Sequence, residues 1–175
     1  MKWIFAALAF AAFSLEARAG EAFDRYTFTP PAKWIPIQHA SVPKDHPTYG
    51  QPERINPTAY RASVVVIPIG MSPGVFAKDR GDTEASCKTH GAQAEQTMSN
   101  EKMKLVSSTI VIVDGGKYCE SSLSNGKLSA MGTMVAGAGG HPYLFLLNYD
   151  AKDTAAVDVY RAARATWKAK PQSKK

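Results

Sequence analysis

The chain has 175 residues, of which 21 are Lys or Arg and 15 are Asp or Glu, so its formal net charge is +6. Its 45% hydrophobic and 21% charged residues are ordinary values for a folded globular protein. They exclude an intrinsically disordered chain, a collagen, a coiled coil and a polytopic membrane protein. The length suits a single domain, and the composition alone names no activity.

The chain begins with the features of a secretory signal peptide. Lys2 precedes an uncharged apolar run over residues 3–13, which is too short for a membrane span of about 20 residues. Ala17 and Ala19 then form the small-x-small pattern that signal peptidase recognises. We therefore predict a signal peptide over residues 1–19, with cleavage after Ala19.

The mature chain is expected to be exported and soluble in the periplasm. One domain is predicted over residues 20–169, followed by a basic C-terminal tail over residues 170–175. No later stretch reaches 18 consecutive apolar residues, so no stable membrane insertion is expected. The Ala-rich run and the short positive segment before it are typical of bacterial signals, which makes the periplasm the predicted location.

The two cysteines, Cys87 and Cys119, are predicted to form one disulfide bond. Exported proteins with two cysteines most often pair them, and the alternative is two separate buried thiols. A closed loop of about 33 residues contributes roughly 3–4 kcal/mol in the chain-entropy account. The sequence has no Cys-x-x-Cys motif, and two cysteines alone cannot form a four-ligand zinc site.

The first half of the mature chain predicts a hairpin, a long loop and a strand. Apolar residues alternate on both sides of Pro30-Pro31, which predicts a small β-hairpin over residues 26–38. Its expected core aromatics are Tyr26, Phe28 and Trp34. Prolines recur through residues 39–61, so an irregular loop is expected there instead of a helix or central strand. Residues 63–69 predict a buried strand, and residues 70–81 predict a turn-rich connection.

The second half predicts a helix, four consecutive strands and a closing helix. Asp82 is the expected N-cap of a helix over residues 82–100. The inward stripe of this helix is Cys87, Gly91, Ala94 and Met98. Short turns with glycine join the four predicted strands and imply an antiparallel meander. The strands are expected over residues 105–113, 117–123, 127–135 and 143–149. The closing helix is predicted over residues 153–169, with an apolar stripe of Ala156, Val159, Tyr160, Ala163 and Trp167.

These elements predict an α+β fold in which an antiparallel β-sheet meander carries two main helices. Their order and several residues resemble the Mog1/PsbP/DcrB-like family of small α/β/α sandwich domains. The features that carry the resemblance are the opening Tyr26-x-Phe28-x-Pro30-Pro31-x-x-Trp34, the strand Tyr143–Tyr149, and Tyr160, Ala163 and Trp167 of the last helix. The resemblance implies a scaffold used mainly for docking other proteins, not for chemistry.

Motifs that indicate an enzyme are missing from the sequence, including Gly-x-Ser-x-Gly, His-Glu-x-x-His and the phosphate-binding Gly-x-x-x-x-Gly-Lys. His39 and His46 could reach one metal, but exposed loop histidines are common, so no metal or cofactor is predicted. A small hydrolase is one of the hypotheses, and it requires His141 as a base beside a serine. The serines considered are Ser121, Ser122 and Ser124. The basic excess is modest and concentrated in the tail, which argues against nucleic-acid binding.

We therefore predict a non-catalytic periplasmic module that binds another protein. Its most concrete form is an immunity protein that neutralises a toxic effector delivered to the periplasm. The alternative is an accessory protein of an envelope uptake, secretion or stress-response system. The predicted contact surface is the loop over residues 39–61 or the turn Asp114–Gly116, because Tyr and Arg are frequent at interface hot spots. The candidate contact residues are His46, Tyr49, Arg54 and Tyr60.

Overall fold

The computed structural model describes residues 25–37, 47–52 and 60–171, which form strands and three α-helices. The strands are β1 (Tyr26–Thr27), β2 (Ile35–Pro36), β3 (Thr48–Pro52), β4 (Tyr60–Pro68), β5 (Lys104–Val113), β6 (Gly116–Ser124), β7 (Leu128–Ala136), β8 (Pro142–Asp150) and β9 (Lys168–Ala169). The helices are α1 (Pro73–Lys78), α2 (Glu84–Thr97) and α3 (Ala155–Ala165). None of these helices has the length and apolarity needed to cross a membrane. The predicted signal peptide, residues 1–19, and residues 172–175 of the predicted tail lie outside the described residues.

A seven-stranded antiparallel sheet with strand order β2-β3-β4-β8-β7-β6-β5 forms the middle layer. The predicted meander is confirmed, because β5, β6, β7 and β8 pair consecutively, and β8 then pairs with β4. The turn between β5 and β6 consists of Asp114 and Gly115, whose φ angles are 48° and 76°. Positive φ at both central residues is the geometry that a two-residue hairpin turn needs, and Asp-Gly sequences favour it.

Helices cover both faces of the sheet, which confirms the α+β sandwich. Helix α2 packs on β5 and β6, and we refer to this side of the sheet as the α2 face. The predicted inward stripe of α2 is buried, namely Cys87, Gly91, Ala94 and Met98. Helix α3 packs on the opposite side, the α3 face, where the largest aromatic core lies. Its buried rings include Tyr26, Tyr143, Phe145, Tyr160 and Trp167.

The predicted disulfide joins Cys87 of α2 to Cys119 of β6. Both residues are buried, so the bond ties the helix to the sheet from inside the α2 face. The alternative of two separate thiols is therefore wrong.

The predicted hairpin over residues 26–38 is wrong, although its aromatic residues do enter the core. Strand β1 pairs with β9 near the C-terminus, and β2 pairs with β3. Tyr26 and Trp34 are buried and Phe28 packs against the core. The alternating pattern identified the residues that become buried, but the backbone partners of both short strands lie elsewhere in the chain.

Two predicted connections and the predicted closing helix also differ from the structure. The expected loop over residues 39–61 contains β3, which Pro47 precedes and Pro52 ends, so neither proline lies in the interior of the strand. The expected connection over residues 70–81 contains α1, which begins with Ser72 as N-cap and Pro73 in the first turn. The closing helix ends at Ala165, and the residues after Trp167 form β9 instead.

The N-terminus of α2 is one residue later than predicted. The N-cap is Thr83 and not Asp82, because Thr83 and Ser86 exchange side-chain-to-backbone hydrogen bonds as a capping box. This capping box satisfies the backbone N–H groups of both Thr83 and Ser86. A single N-cap carboxylate at Asp82 would lack the reciprocal bond.

Removing the disulfide should lower the free energy of unfolding by roughly 3–4 kcal/mol. The double variant Cys87→Ser, Cys119→Ser should show this loss in urea unfolding under non-reducing conditions, because the unfolded chain gains conformational freedom. Strong reductant should bring the wild-type protein to the same stability and leave the variant unchanged. Equal stability of oxidised wild type and variant would contradict the prediction.

Candidate functional site

The structure places the two described candidate contact residues, Tyr49 and Tyr60, on opposite faces of the sheet. Tyr49 lies in β3 and meets the ring of Phe28 edge-on, with centroids 6.0 Å apart, on the α3 face. The ring of Tyr60 lies over Gly50, where an added Cβ would come within 2.5 Å of Tyr60 Cδ1. Successive strand residues point to opposite faces, so Gly50, which follows Tyr49, points to the α2 face. The ring of Tyr60 above Gly50 therefore also lies on the α2 face. The two tyrosines therefore do not form one contact surface.

Three other loop residues that were singled out in the sequence lie outside the described parts of the chain. These are the candidate contact residues His46 and Arg54, together with His39, which was considered as a metal ligand.

Tyr60 belongs to an apolar patch at the β2 end of the α2 face. Ile37 Cδ1 is 3.0 Å from the position of the Cβ that Gly50 lacks, so Ile37 and Tyr60 meet above this glycine. Ile35 pairs with Gly50 across β2 and β3 and is 42% exposed. We name Ile35, Ile37 and Tyr60 the β2 patch. Because α2 packs on β5 and β6, the patch lies at the other end of the same face.

The second predicted contact element, the turn Asp114–Gly116, is held against the C-terminal strand. Asp114 Oδ2 accepts the Ala169 N–H at 2.9 Å, and Oδ1 accepts a hydrogen bond from Lys168 Nζ at 2.9 Å. The Ala169 N–H and then the Lys168 side chain lower the pKa of the Asp114 carboxyl. The acidic group of this turn is therefore committed to internal bonds that join the β5–β6 hairpin to β9.

The structure does not bring His141 to the serines of the hydrolase hypothesis. Ser121 pairs with Gly132 of β7, whereas His141 accepts the Gly137 N–H beyond the end of that strand. Five residues of strand separate Gly132 from Gly137, which corresponds to roughly 17 Å. Ser122 and Ser124 pair with residues still farther from Gly137. His141 and these three serines therefore do not form a serine–histidine pair. Burial, and secondarily the charge of Arg25, lower the pKa of His141.

A buried ion pair between the sheet and α3 was missed by sequence reasoning. Glu120 of β6 is 3% exposed and pairs with Arg164 of α3, while Arg161 Nε lies 3.5 Å from Glu120 Oε1. Thr133 Oγ1 donates to Glu120 Oε2 at 3.2 Å, and the Tyr160 hydroxyl lies 3.1 Å from Thr133 Oγ1. The available signal was that strand alternation places Glu120 opposite Cys119, on the side that receives the arginine-bearing helix.

Most polar groups of this Glu120 cluster bond to one another, although the buried Arg164 Nε has no hydrogen-bond partner among the described residues. Burial lowers the pKa of Arg164 to about 10, so its guanidinium stays charged at neutral pH. Burial raises the pKa of Tyr160, whose neutral hydroxyl donates to the Phe145 carbonyl at 2.9 Å. A buried charge is costly without a partner, so Glu120 and Arg164 together hold α3 in one position on the sheet.

A second missed pair joins α1 to α2 beside the disulfide. His90 Nε2 lies 2.9 Å from Asp79 Oδ1. Gly81, with φ of 69°, approaches closely, since a Cβ there would sit 2.7 Å from His90 Nδ1 and 2.8 Å from Cys119 Cβ. In the part of the chain that the structure describes, no hydroxyl or thiol bonds to this pair, and no three His, Cys, Asp or Glu side chains could hold a metal.

The arrangement of layers and strands is shared with a solved structure. Cyanobacterial PsbP (CyanoP) from Synechocystis sp. PCC 6803 superposes with a TM-score of 0.53 and 13% identity, covering 86% of this chain and 89% of that chain. The fold is PsbP-like. This finding agrees with the resemblance noted in the sequence, and at such low identity it concerns the fold alone.

Two further solved structures are similar over most of this chain. LpqN, involved in cell envelope biogenesis of Mycobacterium tuberculosis, has a TM-score of 0.45 and 15% identity and covers 83% of both chains. A protein from Bacteroides thetaiotaomicron VPI-5482 has a TM-score of 0.46 and 12% identity over 83% of this chain, which spans 45% of that protein's length. No protein-family model matches the chain, and no curated protein matches its sequence.

Replacing Glu120 should destabilise the PsbP-like domain more than replacing an exposed charged residue does. Glu120→Gln keeps the shape but leaves the buried Arg164 without a counter-charge, so the free energy of unfolding should fall by about 3 kcal/mol in urea unfolding. Glu101→Gln, on an exposed residue, is the matched control and should stay within about 0.5 kcal/mol. Adding Arg164→Met to Glu120→Gln should recover part of the loss, and additive losses would contradict the assigned pairing.

The Asp114 carboxylate should stabilise the fold only where it is ionised. Asp114→Asn keeps a residue that tolerates positive φ, so at neutral pH it should cost roughly 0.5–1.5 kcal/mol through the weakened bonds to β9. Because the folded pKa is lowered, this difference should be complete above the ordinary pKa of 3.8 and vanish as the pH falls through the folded value. Lys168→Met should cost less, since the Ala169 N–H bond remains. A pH-independent difference would contradict the assignment.

Proposed function

We propose that the protein is an exported, non-catalytic module that binds another protein through the β2 patch. The observation that carries this proposal is the group formed by one aromatic ring and two isoleucines at the β2 end of the sheet. Helix α2 does not pack on this end, and Ile35 is substantially exposed there. Apolar side chains grouped at a surface indicate contact with another macromolecule more often than isolated ones do.

The geometry of Tyr60 supports a role as an anchor. Its ring fills the space above Gly50 that a side chain would otherwise occupy, and Ile37 contacts the same position. A ring held in place before binding loses little conformational entropy on association, which is one reason why tyrosines are frequent hot spots. The glycine at position 50 is therefore expected to matter for binding through the placement of the tyrosine.

The polar groups inside the domain support binding in preference to catalysis. Glu120 pairs with Arg164, and His90 pairs with Asp79, at positions where each pair joins two secondary-structure elements. Groups already satisfied within the protein are less available to act on a substrate than groups that converge on an open cleft.

The most specific form of this proposal is an immunity protein that neutralises a toxic effector in the periplasm, after cleavage behind Ala19. The alternative is an accessory protein of an envelope uptake, secretion or stress-response system. The two roles share the same surface and differ in the partner. A single toxic enzyme bound at equal stoichiometry supports immunity, whereas a multi-component envelope assembly supports the accessory role.

The patch should account for most of the affinity for this partner. Tagged mature protein would be used to isolate the partner from the host envelope, and affinity would then be measured with purified partner. Tyr60→Ala and Ile35→Lys should each weaken binding at least about tenfold, because both remove apolar contact and the second adds a charge.

Val75→Lys is the matched control, since Val75 is exposed on α1, whose Phe76 stacks on Tyr118 of the α3 face. It should bind as the wild type does. Ile35 is exposed, so its substitution tests binding even if Tyr60→Ala lowers stability. Recovery of no partner, or unchanged affinity in both patch variants, would refute the proposal.

A further inference from the structure

The outer edge of β5 is a long strand edge with little protection. β5 has ten residues and ends the sheet on one side, whereas the opposite outer strand β2 has two. No residue from Leu105 to Val113 is charged, and Val106 and Ile112 are 66% and 70% exposed. Proteins usually shield such edges with charges, prolines or short strands, because unpaired N–H and C=O groups attract another strand.

The hairpin register shows which backbone groups of β5 face outward. The two-residue turn 114–115 makes Val113 and Gly116 a hydrogen-bonded pair. Bonded and non-bonded pairs alternate along an antiparallel ladder, so Val111 and Thr109 also bond to β6. The residues whose N–H and C=O groups point away from the sheet are Ser108, Ile110 and Ile112.

The other end of the same edge is already protected. The Leu105 N–H donates to Glu95 Oε2 of α2 at 3.0 Å. The register also shifts between Leu105 and Ser107, and such a bulge twists a strand away from a flat edge. Within the described residues, the unprotected stretch is therefore limited to residues 108–112.

We propose that this stretch pairs with the same stretch of a second copy of the chain, in an antiparallel β5–β5 contact with its two-fold axis at Ile110. The charges at both ends of the edge are already paired within each chain. Lys104, which begins the strand, bonds to Glu95, and Asp114, which follows its end, bonds to Lys168. No residue between them is charged, so no unpaired charge opposes the contact of two such edges.

The two-fold axis also matches the outward-facing backbone groups of residues 108–112 with one another. With Ile110 opposite Ile110, Ser108 of each copy lies opposite Ile112 of the other, so outward-facing residues meet only outward-facing residues. Each such pair exchanges two hydrogen bonds, which makes about six in the contact and joins the two sheets into one.

Sedimentation velocity across roughly micromolar to millimolar concentrations should show reversible monomer–dimer exchange of the mature protein. Amide hydrogen exchange, measured over the same range, should give slower exchange at Ser108, Ile110 and Ile112 as concentration rises. The amides of Thr109 and Val111, which bond to β6 in the monomer, should not show this concentration dependence. A monomer at all concentrations would overturn the proposal.

Ile112→Lys should weaken dimerisation at least about tenfold, because it places a charge on the free edge. Its side chain is largely exposed, so the monomer should remain folded. Val75→Lys, which adds the same charge to an exposed valine elsewhere, should dimerise as the wild type does. A dimer that persists unchanged in Ile112→Lys would overturn the proposal. Tyr60→Ala should leave the dimer intact, so this test stands apart from partner binding at the β2 patch.

Discussion

Trp167 joins β1 and β9, the first and last strands that the structure describes, to the sheet, and much of the architecture depends on this contact. Its ring stacks on Tyr26 with centroids 4.2 Å apart, and its Nε1 donates to the Ala136 carbonyl at 2.8 Å. The next two residues form β9 and pair with β1. This position of the chain brings the Ala169 N–H and Lys168 to Asp114, so the indole also fixes where the β5–β6 hairpin is held.

The two helices are attached to the sheet by different chemistry. Small residues and the disulfide hold α2 close to β6, whereas a buried ion pair positions α3. Both sets of attachments concentrate on β6, since Cys119 and Glu120 are neighbours that point to opposite faces. Destabilising β6 should therefore weaken the packing of both α2 and α3 on the sheet. The surfaces at the β2 and β5 ends of the sheet do not depend on these two attachments.

Those ends carry the two surfaces that the proposals use. The β2 patch spans β2 to β4 at one end of the strand order, and the edge of β5 lies at the other end, with β8, β7 and β6 between them. A dimer formed at β5 would leave a β2 patch facing outward on each copy, so self-association and partner binding are geometrically compatible. Two linked sites raise the effective affinity for any partner that presents repeated copies of its own surface.

The disulfide, the meander and the inward stripe of α2 could be predicted from the sequence, because they follow from local patterns: two cysteines behind a predicted signal peptide, β-branched runs, and Asp-Gly and Asn-Gly turns. The strand partners of β1 and β2, the opposite orientations of Tyr49 and Tyr60, and the contact between Glu120 and Arg164 became visible only in the folded chain. Each of these depends on residues distant in sequence. Hydrophobic periodicity reports that a side chain will be buried, but a strand's partner is chosen by the packing of the whole chain.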